Sequence, residues 1–299
     1  MDTPKIEFYK LRDFGAKINA LVEFLRENFG KLFLSLALIG GPAALLLSLL
    51  FGNLFSSFFD LGMQSESGDF DDFGDVFALL GGSYFMMLLM SWITVTLIVS
   101  VTYNYMKLYN EGVVKETSIG EIFGKSLSNM GGLLILGFLV MVVTVFGTFF
   151  FIIPGIFLGV TLSLAYPILV FENASVGTAF SRSFTLIREK WWSTFGLLFV
   201  SYMIAYVVQI VFSVPLLVVY FMNMFTLVEE VQNNPDDPSA FFEMFSSGYM
   251  TVAMAVSMVG SYLTYCIPLI ALGYQYSNLV ERSEGKGLMN EIENFDKEE

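Results

Sequence analysis

The sequence predicts an all-α integral membrane protein with six transmembrane helices. Hydrophobic residues make up 55% of the 299 residues and charged residues only 14%, whereas charged residues are about a quarter of a soluble domain. Six stretches are long enough to cross a bilayer, which takes about 20 predominantly apolar residues. The basic residues lie only in segments that alternate crossings would place on one side, as expected for a multi-pass chain.

The predicted spans include one pair with almost no linker. Spans three and four form a single uncharged stretch from 131 to 171, about twice the length of one crossing. Within it, IIPG (152–155) combines a proline, which cannot donate to the preceding turn, with a glycine that tolerates a reversal. We therefore expect a tight hairpin there. The six predicted spans are 32–55, 76–106, 131–153, 154–171, 193–221 and 249–280.

The charge distribution predicts the orientation. Six of the fifteen Lys and Arg residues precede the first span, and three each follow the second, fourth and sixth. The positive-inside bias makes this side cytoplasmic. We therefore expect a protein of the bacterial cytoplasmic (inner) membrane with both termini in the cytoplasm. The predicted divisions are an amphipathic cytoplasmic N-terminal helix (1–31), a six-helix transmembrane domain (32–280) and an acidic cytoplasmic tail (281–299).

Few residues suited to chemistry occur in the predicted spans. Their interiors contain no ionisable carboxylate or base, and the chain has no histidine, which disfavours proton relays and ion-coupled carriers. The single cysteine, Cys266, excludes a disulfide framework. The acidic segment DFDDFGD (69–75) lacks the alternation and terminal glutamate of an EF-hand loop. We expect no metal, no cofactor and no nucleic-acid partner.

The half-polar segment 172–192, ENASVGTAFSRSFTLIREKWW, predicts an amphipathic helix with Ser175 as its N-cap. One interpretation is an interfacial helix with Arg182 and Arg188 near lipid phosphates and the Trp pair in the headgroup layer. The other is a surface helix packed on the ends of the bundle. Its predicted apolar stripe comprises Val176, Phe180, Ser183, Phe184, Ile187 and Trp191.

Two other segments resemble this helix. IGEIFGKSL (119–127) aligns with VGTAFSRSF (176–184), and a looser copy lies before the first span. The pattern favours three repeats, each an interfacial helix followed by two crossings. Such repeats are common in transporters but also arise by duplication in proteins that transport nothing. In the N-terminal copy the predicted apolar stripe is Leu11, Phe14, Ile18, Leu21, Leu25 and Phe29.

The middle third of the chain resembles a known family. A Pro-Gly turn, an apolar span ending in Glu, an Arg-Ser pair on a helix and an aromatic pair follow one another in 152–196. This order resembles the bacterial glycerophosphoryl diester phosphodiesterase membrane-domain family and its uncharacterised multi-pass relatives. The resemblance implies the membrane part without the separate catalytic barrel. The matching positions are Pro154, Gly155, Glu172, Arg182, Ser183, Trp191 and Trp192.

The candidate site lies around this motif. Glu172 can pair with Arg182 or Arg188, either to brace the helix or to help bind a polar headgroup, and the bracing role is favoured. Gln209 is the one amide deep in a span, where an interhelical hydrogen bond is favoured over a substrate contact. Small residues at every fourth position predict helix contacts. They are Gly155, Gly159 and Ser163 in span four, and Ala253, Ser257 and Ser261 in span six.

Three classes of function follow. A non-catalytic module, acting as a scaffold, a lipid-interacting module or a partner of a membrane complex, fits the sparse chemistry best. We expect membrane lipids as partners, with anionic headgroups on the cytoplasmic side, and another membrane protein or a second copy of the chain. The alternative is a transporter or channel for a neutral or amphipathic solute or lipid, lined by Gln209, Tyr202, Tyr206 and Tyr262. An intramembrane enzyme ranks third, because with no histidine and no buried acid only Ser, Tyr and Cys266 are left for chemistry.

Overall fold

The computed structural model describes residues 6–67, 73–233 and 248–289. These ranges contain ten helices of seven or more residues and no strand, which confirms the all-α fold class. The helices are α1 (Phe14–Ile39), α2 (Gly41–Ser67), α3 (Phe73–Asn110), α4 (Ile119–Phe150), α5 (Ile152–Ser163), α6 (Ala165–Phe171), α7 (Val176–Ile187), α8 (Trp191–Asn233), α9 (Gly248–Thr264) and α10 (Cys266–Glu284).

Five segments of the described chain are long and apolar enough to cross a membrane, and α1 with α2 adds a sixth if the pair is one span. This matches the predicted number. The predicted span 32–55, however, is broken between α1 and α2 at Gly40. The break precedes Pro42, whose ring removes a backbone donor. The five segments are Gly81–Asn110, Ile119–Phe150, Ile152–Phe171, Trp191–Asn233 and Gly248–Glu284.

The predicted hairpin is confirmed and is tighter than expected. Phe151 alone separates α4 from α5, and its backbone is extended. Pro154 lies in the first turn of α5, where a missing N–H breaks no helical bond. The two helices pack against each other, and a Cβ on Gly147 would lie 3.2 Å from the Cα of Gly155. The absence of side chains at this contact lets the helices start close together.

The chain divides into two compact units. Unit 1 comprises 1–39, 96–205 and 265–299. Within it α1 packs against α10, α4 against α5, and α7 against α4, α5 and α6. Its core contains an aromatic cluster in which Phe24 meets Tyr105, Tyr109 and Tyr274 with ring centroids 4.9 to 6.3 Å apart. The thirteen basic residues within the described ranges all belong to this unit.

Unit 2 comprises 40–95 and 206–264 and carries no basic residue. Its main helix contact is between α2 and α9. Phe212 of α8 lies so close to Gly260 of α9 that a Cβ on the glycine would clash with its ring. A hydrogen bond between Ser91 and Tyr262, 3.1 Å long, joins α3 to α9. Unit 2 is therefore held mostly by apolar and small-residue packing.

The segment before α1, residues 6–13, is a strap anchored by two buried side chains, Ile6 and Phe8. Ile6 donates its backbone N–H to the Tyr109 hydroxyl at 3.1 Å, and Phe8 is 4% exposed, packed against Phe171 and Tyr274. Asn278 of α10 donates to the carbonyl of Arg12 at 3.0 Å. Helix α1 starts only at Phe14 and continues past residue 31 to Ile39. An amphipathic helix over 1–31 therefore describes only part of this region.

The two predicted apolar stripes are mostly not the faces that their helices bury inside the protein. In α1 only Leu21 of the predicted stripe is buried, because the helix buries the face that carries Lys17, Phe24 and Asn28. In α7 the buried residues are Ala179, Ser183 and Ile187, whereas Phe184 is 37% exposed. Apolar periodicity identified faces that are largely exposed, and an apolar face can lie against lipid in a membrane protein.

Only one of the three predicted repeat units has an amphipathic helix that is separate from the span that follows it. Helix α7 ends at Ile187 and is separate from α8, as a distinct interfacial helix requires. By contrast, 119–127 is the first part of α4 and runs without interruption into the span. A capping box at Ser118 and Glu121 begins that helix. Two of the three proposed amphipathic segments are thus continuous with the transmembrane helix that follows.

The predicted outer loops are largely helical where the structure describes them. Helix α2 extends to Ser67, α3 begins at Phe73, and α8 continues to Asn233. With 43 residues, α8 is about 64 Å long, roughly twice the hydrocarbon core. Most of the acidic segment 69–75, and residues 290–299 of the predicted tail, lie outside the described residues.

Candidate functional site

Glu172 and Arg182 form the predicted ion pair. Arg182 Nε lies 2.8 Å from Oε2 and 2.9 Å from Oε1 of Glu172. The side chains are 30% and 21% exposed, so both are only partly screened by water. Glu172 caps the end of α6 and Arg182 lies in the middle of α7. The pair therefore fixes the direction in which α7 leaves the preceding span.

A second carboxylate and a tyrosine complete this brace. The other arm of Arg182 binds Glu284 at the end of α10, and the Tyr276 hydroxyl donates to Glu172 Oε1 at 2.9 Å. Burial lowers the pKa of Arg182, but its hydrogen bonds to Glu284 and Glu172 outweigh that effect and raise it above the usual value. Arg182 is thus a permanent cation that joins α6, α7 and α10.

The corner between α6 and α7 has an additional support. Lys107 of α3 donates to the Val170 carbonyl at 3.1 Å and to Asn173 Oδ1 at 2.9 Å. Asn173 has φ of 49°, a left-handed conformation that Asn tolerates better than most residues. The Ser175 side chain then accepts the Thr178 N–H at 3.2 Å, which confirms the predicted N-cap.

Arg188 lies apart from the brace. It is the exposed C-cap residue of α7, six positions after Arg182. Ser183 is fully buried and donates to the Phe180 carbonyl at 2.7 Å. Of the candidate residues on α7, only Arg182 therefore joins Glu172. The packing of α7 on α4, α5 and α6 agrees with the interpretation as a surface helix on the bundle.

The two tryptophans have different environments. Trp191 stacks on Phe157 and Phe195 with ring centroids 5.6 and 5.5 Å apart, and its Nε1 donates to the Phe157 carbonyl at 3.3 Å. Trp192 is 77% exposed. An exposed Trp beside an anchored one is typical of an aromatic belt at a membrane interface.

The structure also reveals a buried polar cluster that sequence reasoning missed. Lys17 is 3% exposed, and its Nζ donates to Gln275 Oε1 at 2.7 Å and to Ser193 Oγ at 3.0 Å. Gln275 in turn donates to Thr194 Oγ1 at 2.8 Å. These bonds link α1, α8 and α10 within unit 1. The polar neighbours offset part of the free-energy cost of burying a lysine.

A sequence signal for this cluster did exist. Lys17, Leu21, Phe24, Asn28 and Leu32 are spaced by three or four residues and form the buried face of α1. The two polar residues of this face, Lys17 and Asn28, lie on the side that packs against the bundle. The apolar face can instead be covered by lipid. The rule that the polar residues of a helix face water, which holds for soluble proteins, therefore assigns this face to the wrong side.

Gln209 makes the expected interhelical contact. Its Nε2 donates to the Ser257 carbonyl of α9 at 3.0 Å, and its Oε1 accepts from Thr264 at 3.3 Å. Tyr202 and Tyr206 are 45% and 64% exposed on α8. The residues expected to line a transport path are therefore partly engaged in packing and partly on the surface of the helix.

The small-residue stripes form helix contacts in part. Gly155 faces Thr148 of α4, and Gly159 faces Thr144 at 3.5 Å from the position of a Cβ. In span six, Ala253 is buried and Ser257 accepts the Gln209 bond. Ser261, however, is exposed. The prediction holds for the hairpin and for most of α9.

Comparison with known proteins places the chain in a family without an assigned activity. No curated protein and no solved structure gives a significant match. The profile of a domain of unknown function, DUF7847, matches residues 27–279, which is well over half of the chain and includes Glu172, Arg182, the Trp pair and Gln209. The chain therefore belongs to the DUF7847 family.

Proposed function

We propose that the protein is a non-catalytic, multi-pass inner-membrane module that interacts with anionic lipids and serves as a scaffold or partner in a membrane complex. The observation that carries the proposal is the charge distribution. The thirteen basic residues that the structure describes all belong to unit 1, together with Trp191 and Trp192, whereas the sequence of unit 2 contains none. Basic residues beside interfacial tryptophans favour the cytoplasmic side of a membrane.

Exposed basic residues supply the attraction to lipid. Arg188 and Arg282 are exposed, and Lys190 is half-buried beside the Trp pair. Each base near an anionic leaflet contributes about 1 kcal/mol to membrane association. These residues are free to contact headgroups while Lys17 and Arg182 hold helices together.

Two polar groups suited to chemistry, Glu172 and Gln209, are engaged in structural contacts. Glu172 binds Arg182 and Tyr276, and Gln209 binds Ser257. A general acid or base must reach a substrate proton, and the brace leaves Glu172 bound to two partners. These contacts support a scaffold role over catalysis.

Exposed apolar surface supports a role in assembly. On α8, Val207, Val211 and Phe225 are each more than 60% exposed. Such a helix is covered by lipid or by another membrane helix, because apolar side chains are unfavourable in water. A second copy of the chain or another membrane protein would use this helix for contact.

Native mass spectrometry tests the proposed function. We expect protein extracted gently from bacterial membranes to retain phosphatidylglycerol in preference to phosphatidylcholine, and to appear with a defined partner or as a homo-oligomer. Lipid-free monomers with no preference for anionic lipid would contradict the proposal.

A reporter fusion tests the orientation separately. A fluorescent reporter fused after Lys190 should be active in the cytoplasm, and a periplasmic phosphatase at the same position should be inactive. The opposite pattern would reverse the assignment of unit 1 to the cytoplasmic side.

A further inference from the structure

Lys17 is a buried cation whose hydrogen-bond partners are neutral. Lys17 is 3% exposed, and its Nζ donates to the Gln275 carbonyl oxygen and the Ser193 hydroxyl. Within 6–67, 73–233 and 248–289, no carboxylate completes an ion pair with it. Removing an ammonium from water is unfavourable unless an anion compensates it. The position therefore favours the approach of an anion from outside the chain.

Nearby charges increase this preference. Among the charges that act on Lys17, Lys190 and Arg282 repel it and Asp13 attracts it. Asp13 already accepts the Ala16 N–H at 2.7 Å at the start of α1. Lys190 is three residues before Ser193, and Arg282 is about two helical turns after Gln275 on α10, so both cations lie near the cluster, each next to a glutamate in the sequence. A bound anion would relieve the mutual repulsion of the cations.

Ser193 connects the buried charge to the surface. Its oxygen accepts from Lys17 at 3.0 Å, and its side chain is half-buried. Because the oxygen acts as the acceptor, the hydroxyl hydrogen remains available, and the described part of the chain supplies no acceptor for it. A hydroxyl polarised by an ammonium is a strong donor to an anionic oxygen.

The position along α8 indicates the source of the anion. Lys190 immediately precedes the Trp pair and Ser193 immediately follows it. Exposed tryptophans such as Trp192 mark the depth of the lipid headgroups. An oxyanion at this depth is most readily supplied by a phospholipid phosphate.

We propose that Lys190, Ser193 and Arg282, supported by the buried Lys17, bind the phosphate of an anionic phospholipid headgroup. The inference rests on the proposed lipid interaction and assigns it a site. Ser193 and the two outer cations contact the phosphate oxygens. Lys17 acts through Ser193 as a positioning residue.

Two double variants of equal charge test the site. The full chain is titrated with phosphatidylglycerol in phosphatidylcholine nanodiscs, and bound lipid is measured by native mass spectrometry. We expect Lys190→Gln with Arg282→Gln to weaken binding of phosphatidylglycerol about thirtyfold, or roughly fivefold per cation. Lys115→Gln with Lys125→Gln removes two exposed cations elsewhere in unit 1 and should change it less than threefold.

A single substitution without charge change tests the role of the hydroxyl. Ser193→Ala should weaken phosphatidylglycerol binding about fivefold or more with an unchanged unfolding temperature, and Ser193→Thr should restore it. Ser193→Ala is a sharper test than a substitution of Lys17, since loss of the buried Lys17 bonds would also lower the stability of the fold. Unchanged binding in Ser193→Ala would exclude the hydroxyl from the site and overturn the assignment.

Two further outcomes separate the alternatives. If added inorganic phosphate abolishes the preference for phosphatidylglycerol, the site binds free phosphate. That result would overturn the lipid assignment. Equal effects of the two double variants would overturn the site, yet the proposed function would stand if wild-type protein still retained phosphatidylglycerol. Failure of the wild type to prefer that lipid would contradict the proposed function itself.

Discussion

Lys107 Nζ lies 2.9 Å from Oδ1 of Asn173, and Asn173 is the one non-glycine residue with positive φ in the part of the chain that the structure describes. The bond from Lys107 thus holds the side chain of a residue whose backbone is in the left-handed region. Lys107 also binds the Val170 carbonyl, so α3 fixes both sides of the corner that leads into α7.

Substitutions at Asn173 should separate the backbone effect from the side-chain effect. Asn173→Ala loses the acceptor for Lys107 and places a Cβ in the left-handed region, which costs about 1–2 kcal/mol. Asn173→Gly loses only the acceptor. We expect the alanine variant to unfold at a clearly lower temperature than the glycine variant in detergent. Equal losses would mean that the bond to Lys107, rather than the conformation, stabilises the corner.

Charge reversal at Arg182 should reveal the bracing role. Arg182→Glu would place a third carboxylate beside Glu172 and Glu284, and we expect a loss of about 1–3 kcal/mol for this partly exposed pair. Thermal unfolding and accumulation in the membrane measure the effect. Arg188→Glu, the same change at an exposed position of α7, should be nearly neutral. A well-folded Arg182→Glu protein that has lost lipid binding would instead identify a headgroup site.

Two glycines of α5 should respond differently to the same substitution. A Cβ on Gly155 would clash with the Thr148 side chain and lie 2.8 Å from its Cα, whereas a Cβ on Gly159 would lie 3.5 Å from Thr144. We expect Gly155→Ala to cost about 1–3 kcal/mol through overpacking, and Gly159→Ala to be tolerated. Thermal unfolding of the two proteins tests this difference. A tolerated Gly155→Ala would show that the hairpin can open at little cost.

Gln209 distinguishes a packing role from a transport role. Gln209→Leu removes the bond to the Ser257 carbonyl, and such bonds in membranes are worth about 0.6 kcal/mol on average. We expect a small fall in unfolding temperature and no other change. If the variant keeps its stability but abolishes solute flux in proteoliposomes, the transporter alternative would gain support.

Several features of the fold were predictable because they depend on local chemistry. Pro154 and Gly155 indicated a break in a stretch too long for one crossing, which the structure has three residues before Pro154, at Phe151, and Ser175 preceded a helical pattern as an N-cap. The pairing of Glu172 with Arg182 followed from two charges flanking a short connection. The resemblance to the phosphodiesterase membrane-domain family stays a prediction, since the family that matches has no assigned function.

Other features depend on long-range packing that the sequence pattern does not contain. Lys17 and Ser193 are 176 positions apart and meet only when α1 and α8 pack. Asn278 binds backbone carbonyls in the strap, which no periodicity identifies. The break at Gly40 had a local signal in the adjoining Gly41 and Pro42, but the length of the apolar run suggested one continuous span.

The linker between α4 and α5 constrains the evolution of the chain. Since Phe151 alone connects them, adding one residue would turn α5 by about 100° about its axis and move Gly155 away from Thr148. Homologous proteins should therefore tolerate insertions and deletions elsewhere but keep the spacing between positions 147 and 155 constant, even where the residues themselves have diverged.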